Sequence, residues 1–158
     1  MIKSYYVEAV CANGHVIQRD LKPNERPHKF CKKCSASVLY ECQNCGAQID
    51  GDLIGGTRII GYDKPAPAYC GECGNPFPWT EKSILLLQKT LELEPNCRKE
   101  DVNEFIKMVP DIISETPGTK FASLLYRKLL SLAGEIGKSA LVDFVKALAC
   151  EAFRDLIG

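Results

Sequence analysis

The chain has no charge of one sign to spare. Its 158 residues hold 20 Lys plus Arg against 20 Asp plus Glu, so no global field draws it toward nucleic acid or an anionic membrane, and electrostatic partners must be read locally. Long apolar runs are missing too. The longest uninterrupted aliphatic stretch, Ile84 to Leu87, falls far short of the roughly 20 residues a membrane-spanning helix needs. The opening residues Met1 to Glu8 carry a lysine but no apolar core, and do not read as a secretory signal. Histidine is scarce, with 2 in the chain, and there is no glycine-rich phosphate loop and no nucleophile elbow. These absences predict a cytoplasmic, non-enzymatic protein with no membrane span and no evident small-molecule substrate.

Cysteine is what the chain has in excess. Seven of its 9 cysteines, with one histidine, fall into four short hooks: Cys11 with His15, Cys31 with Cys34, Cys42 with Cys45, and Cys70 with Cys73. Ligands two or three residues apart can be aimed at one ion by a tight turn, and eight such ligands close two tetrahedral sites with no position left open. In a reducing compartment paired cysteines usually mean metal, and an odd count fits a disulfide framework poorly. The expectation is two structural Zn2+ ions. Cys42, Cys45, Cys70 and Cys73 form the clearer site, because Gly46 and Gly74 follow their second cysteines where a knuckle must turn. The other site takes Cys11, His15, Cys31 and Cys34, with Asn13-Gly14 as the turn of its opening hook.

Three alternatives stand beside this reading. His28, three residues before Cys31, competes with His15 as a ligand. The hooks could pair in sequence, or cross as in a brace, with the first and third on one ion. Finally, a Cys-x-x-Cys pair can be redox-active, but such a motif wants a strand-to-helix junction that lowers one thiol's pKa, and none of the three opens a helix.

Composition changes at Asn75-Pro76-Phe77-Pro78-Trp79-Thr80, which sets the expected organisation: a double zinc-ribbon domain over 1–79 and a helical domain over 80–158. Turn signals at Asn13-Gly14, Asp50-Gly51 and Gly55-Gly56 separate β-type stretches such as Ser37 to Tyr40 and Thr57 to Tyr62. From Thr80, taken as the helix N-cap with Trp79 stapling onto Ile84, leucines recur at helical spacing. Pro95, Pro110 and Pro117-Gly118 punctuate that half into three or four helices, the last bearing Leu141 through Leu156. The fold class is therefore α+β, a small β-rich zinc-knuckle domain followed by an all-α bundle.

Two further features bear on partners. Arg19, Lys22, Arg26, Lys29, Lys32 and Lys33 face only Asp20 and Glu25 in the same segment, and Phe30 and Tyr40 nearby could stack on bases. This makes a candidate nucleic-acid contact, set against the plain alternative of a solvated loop. The last helix carries a wide apolar face, which suits a protein partner or a second copy of the chain. Of the two spare thiols, Cys97 lies at a helix start, where the dipole can lower its pKa, and Cys150 sits among Leu148, Ala149 and Ala152. Neither has a histidine beside it to act as base.

The strings Cys11-Ala12-Asn13-Gly14-His15-Val16-Ile17, Phe30-Cys31-Lys32-Lys33-Cys34, Cys42-Gln43-Asn44-Cys45, Ile59-Ile60-Gly61-Tyr62, and Pro67-Ala68-Tyr69-Cys70-Gly71-Glu72-Cys73-Gly74, running on through Asn75-Pro76-Phe77-Pro78-Trp79-Thr80-Glu81, resemble a bacterial domain-of-unknown-function family, family 2321. Its members pair such a ribbon with a helical C-terminal region. The resemblance implies a bacterial protein and eight ligand positions that include His15 rather than His28, and it brings no activity. The leading expectation is a protein-protein interaction or regulatory module, with nucleic-acid binding through Arg19 to Lys33 as the rival.

Overall fold

A computed structural model describes residues 2–58 and 64–158. The chain divides into two compact units, Met1–Glu81 and Lys82–Gly158. The first is a small antiparallel sheet. Strand β1 (Tyr5–Cys11) is its centre, flanked on one side by β2 (Val16–Leu21), while β3 (Val38–Leu39) and β4 (Asp50–Leu53) pair with opposite ends of its other edge. Sequence patterning points to Ser37 to Tyr40, and β3 lies there. It passes over β1, whose residues are nearly all buried and so show no clean alternation. Of the expected stretch Thr57 to Tyr62, Thr57 and Arg58 lie in no strand, and the remainder falls outside the described residues.

The sheet separates two small cores. Val7, Ala9, Leu21 and Tyr40 pack together, and Val10, Ile49, Phe77 and Trp79 pack with Cys42 and Cys70. Each is too small to hold a fold of this size by burial alone. Phe77 and Trp79 stack with ring centroids 4.7 Å apart, and Trp79 donates its indole N–H to the Pro67 carbonyl at 2.9 Å.

From Pro78 onward the chain is helical. Helix α1 (Pro78–Glu92) opens with proline at its first position, where no intrahelical amide is lost. The expected N-cap, Thr80, lies instead inside this helix. It is fully buried, and its hydroxyl donates to the Ala68 carbonyl at 2.8 Å, so it ties the extended 65–68 segment to the helix. Trp79 packs among the sheet-side residues rather than stapling onto Ile84. Then follow α2 (Lys99–Lys107), α3 (Val109–Ile113), α4 (Thr119–Leu132), α5 (Glu135–Leu148) and α6 (Glu151–Ile157).

Among the described residues six helices stand where three or four were expected, for two physical reasons. Pro110 starts its own short helix, and the last amphipathic run breaks at Ala149 and Cys150, both extended, with the Cys150 amide donating to the Ile112 carbonyl at 2.9 Å. A tertiary hydrogen bond thus replaces the helical one. Leu87, Leu91, Val102, Phe105, Leu129, Leu141 and Phe153 form the buried centre, whereas Phe121 and Leu124 on α4 are exposed. Asp101 on α2, nearly buried, accepts from Lys128 on α4 at 2.9 Å and from Arg98 at 3.2 Å. These two cations, Arg98 first, hold its carboxyl below the usual range.

Helix α5 has no capping side chain of its own. The Glu94 carboxylate supplies one from beyond α1, accepting from the Gly134 amide at 2.8 Å and the Gly137 amide at 2.6 Å. A negative charge there satisfies two orphan donors and complements the helix dipole. A Cβ on Gly137 would lie 2.5 Å from Glu94 Oε1, so a larger residue there must push the carboxylate away from the helix start. Replacing Glu94 with alanine is expected to destabilise the helical unit by about 1–2 kcal/mol, read by urea unfolding of the helical circular dichroism.

Candidate metal centres

Three loops of the first unit follow one plan. In Phe30 to Ser37, Glu41 to Gln48 and Tyr69 to Pro76, the first and last residues form an antiparallel bridge around a Cys-x-x-Cys pair. The leading cysteine's amide donates five residues ahead: Cys31 to Ala36 at 2.9 Å, Cys42 to Ala47 at 2.7 Å and Cys70 to Asn75 at 2.9 Å. Its carbonyl accepts from the amide four residues ahead, on Ser35, Gly46 or Gly74, at 2.8, 2.9 and 3.0 Å. This reversal demands left-handed backbone at that fourth position, with φ of 61°, 76° and 73° respectively. Glycine adopts it freely; a serine side chain crowds it. The remaining hook closes the β1–β2 hairpin, where Cys11 donates to the His15 carbonyl at 3.0 Å through a turn containing Gly14.

These turns gather the side chains into two groups of four. Cys11, His15, Cys31 and Cys34 form one, Cys42, Cys45, Cys70 and Cys73 the other, with all ligand atoms of a group within 4.8 Å of one another. In the first group Cys11 Sγ lies 3.5 Å from His15 Nδ1 and 3.7 Å from Cys34 Sγ, and Cys31 Sγ lies 3.6 Å from His15 Nδ1. In the second, Cys42 to Cys73 is 3.7 Å and Cys45 to Cys70 is 3.6 Å. Thiolate bonds of about 2.3 Å and an imidazole bond of about 2.05 Å, set tetrahedrally about one ion, give S–S edges of about 3.8 Å and S–N edges of about 3.5 Å. The observed edges fit that figure, while a disulfide would need about 2.05 Å. All nine cysteines are free.

The hooks pair in sequence, first with second and third with fourth, rather than crossing. His28 is engaged elsewhere, with Nε2 2.9 Å from Gln18 Oε1 and its backbone bracketing the Tyr40 hydroxyl. Within each group the thiols are driven apart. The Ala36 amide, then the Asn13 side chain, lower Cys34 to about 6, and the Asn75 amide with Asn44 lower Cys73 to about 6. Burial raises Cys11. At Cys45 the Ala47 amide pulls down, but local desolvation and the neighbouring thiols outweigh it and hold the group at about 12. Crowded thiols cannot all ionise unless a cation sits among them, and both tetrads could hold a metal ion.

The other candidate residues separate. Arg19 is buried, with its guanidinium 4.0 Å from Asp52 and donating to the Lys64 carbonyl, so it leaves the basic set. Arg26 lies over the Tyr40 ring at 4.8 Å and donates to the Pro23 and Glu25 carbonyls, and Tyr40 is itself buried and covered, unable to stack on a base. Lys22, Lys29, Lys32 and Lys33 stay exposed. Cys97 is buried, and burial with Glu94 and Asp101 raises its thiol instead of lowering it.

A family model matches residues 4–157, nearly the whole chain, under the description "Uncharacterized protein conserved in bacteria (DUF2321)". The chain belongs to this bacterial family. No curated protein and no solved structure matches it. Both tetrads of this DUF2321 member lie inside the matched span, as does its helical unit. Among the described residues no helix is long and apolar enough to cross a membrane.

One polar group near the sheet gives no signal in the sequence. Glu8 on β1 is fully buried, and neither carboxylate oxygen has a hydrogen-bond partner among the described residues. Burial pushes its pKa from 4.5 to about 7, against the pull of Lys64 and Arg19 and with a further push from Asp52. An acid raised on folding favours the native state while protonated, a contribution present in full below the unfolded value and lost as pH climbs through the folded one. Wild type is therefore expected to lose about 1 kcal/mol relative to Glu8→Gln between about pH 6 and about pH 8, measured by urea unfolding at each pH. Ser35→Gly is expected to raise the resistance of the first tetrad's unit to urea by about 0.5–1 kcal/mol, since it removes the crowding at a left-handed residue.

Proposed function

We propose that this protein is a non-enzymatic, zinc-stabilised interaction module of the bacterial cytoplasm, with one structural Zn2+ in each tetrad. The single observation that carries the reading is that both tetrahedra are completed by protein side chains. Donor sets of three thiolates with an imidazole, or of four thiolates, suit zinc among the common divalent ions, and a site whose four positions are all filled keeps none for water or substrate. Zinc there acts on folding: a structural ion contributes on the order of 10 kcal/mol, more than two cores of a few side chains supply.

A protein partner or a second copy is expected on the helical unit, where Leu85, Leu86, Phe121, Leu124 and Ile136 expose apolar surface. A shallow groove of about 260 Å³ beside Leu86, Phe144 and Leu148 adds to it.

Elemental analysis of native, reduced protein is expected to return about two zinc equivalents per chain. A strong chelator should then abolish the ordered amide signals of the sheet residues while the helical circular dichroism persists. One equivalent or none, or a sheet unaffected by chelation, would remove the proposal.

A further inference from the structure

We infer that the loop Phe30 to Ser37 is a binding site for single-stranded nucleic acid, in which Phe30 stacks on a base and Lys29, Lys32 and Lys33 contact phosphates. This rests on the reading that a zinc ion closes the first tetrad and so fixes the loop.

The three knuckles supply an internal comparison. They share one backbone plan, so whatever differs among them is not needed to make the turn. The residue before the first cysteine is Phe30, Glu41 or Tyr69, and the pair between the cysteines is Lys32-Lys33, Gln43-Asn44 or Gly71-Glu72. Phe30 leaves 65% of its surface exposed and belongs to neither core, whereas Tyr69 is half-buried. An aromatic ring held out in water between lysines has no structural task in this fold. Stacking on a base is the use that fits it, because every base presents a π-face and its phosphate a charge.

Electrostatics select the same knuckle. From Arg26 to Tyr40 the chain has no acidic residue. Lys29, Lys32 and Lys33 are exposed, and none forms an ion pair among the described residues. The metal sharpens the contrast: three thiolates, a neutral imidazole and a dication sum to −1, against −2 for four thiolates. The first tetrad is the one that repels phosphate less. Beside it, His15, Ile17, His28, Phe30, Lys32 and Lys33 line a cavity of about 300 Å³ that mixes apolar and cationic side chains.

Stacking on Phe30 disfavours a duplex, because it requires a base already splayed from its neighbours. Recognition is therefore of the strand and tolerant of sequence.

The test is fluorescence anisotropy with full-length, zinc-loaded protein in reductant, using a labelled oligothymidylate, the same length of duplex, an acidic peptide and inorganic polyphosphate as competitor. The expected result is preference for the single strand, with log Kd rising against log salt at a slope of about 2 for three phosphate contacts. Phe30→Ala should weaken binding roughly tenfold, Phe30→Tyr should restore it, and Lys32→Gln with Lys33→Gln should lower the slope by about 1.4. Each variant must retain its metal. Lys120→Gln with Lys146→Gln, on the helices, should change nothing.

Absence of binding at low salt by protein carrying two zinc equivalents overturns the inference and leaves the zinc reading intact. Equal affinity for polyphosphate, insensitivity to Phe30→Ala, or preference for duplex or peptide overturns it as well. A wild-type metal content below two equivalents instead strikes the zinc reading, and the two failures are told apart by that measurement.

Discussion

Four metal-seeking side chains crowded within 4.8 Å of one another repel as they ionise, and only a cation at their centre turns that repulsion into attraction. Both tetrads of the first unit are groups that could hold such a cation. The unit's sheet is short and its two cores hold a handful of side chains. A chain so poor in burial has little reason to bring Cys11 to Cys34, or Cys42 to Cys73, without a partner common to both. The second unit is held otherwise, by a continuous apolar core running from Leu87 to Phe153.

What could be seen in the sequence follows from how local each cause is. A knuckle's backbone is set within eight residues by two hydrogen bonds and one left-handed position, so its cysteines declare it at once. Pairing of the hooks is not local, and spacing leaves sequential and crossed arrangements open until β1 and β3 fix which turns face each other. Strand β1 is hidden for a related reason: buried on both faces, it lacks the alternation that marks a half-exposed strand.

The helices teach the converse. Their apolar spacing is plain, but their ends are decided at a distance. The break before α6 is made by the Ile112 carbonyl, and the start of α5 by Glu94, forty residues from Gly134. Thr80 looks like a cap from its neighbours alone and serves a carbonyl twelve residues away instead. The basic segment shows the same limit: six cations are visible in the sequence, yet Arg19 is buried beside Asp52, and the exposed Arg26 is laid against the Tyr40 ring. Glu8, an acid in a strand, gives no warning of its burial.

The repeated knuckle divides labour between its backbone and its tip. Because the reversal is held by its own amides, the exposed Glu41 and Gln43 side chains have no duty to the turn, whereas the Asn44 side chain serves the Cys73 sulfur. Transplanting the phenylalanine and the first lysine of the first loop onto positions 41 and 43 of the second would move a surface chemistry from one place on the unit to another, so the fold behaves as a mount with interchangeable fittings.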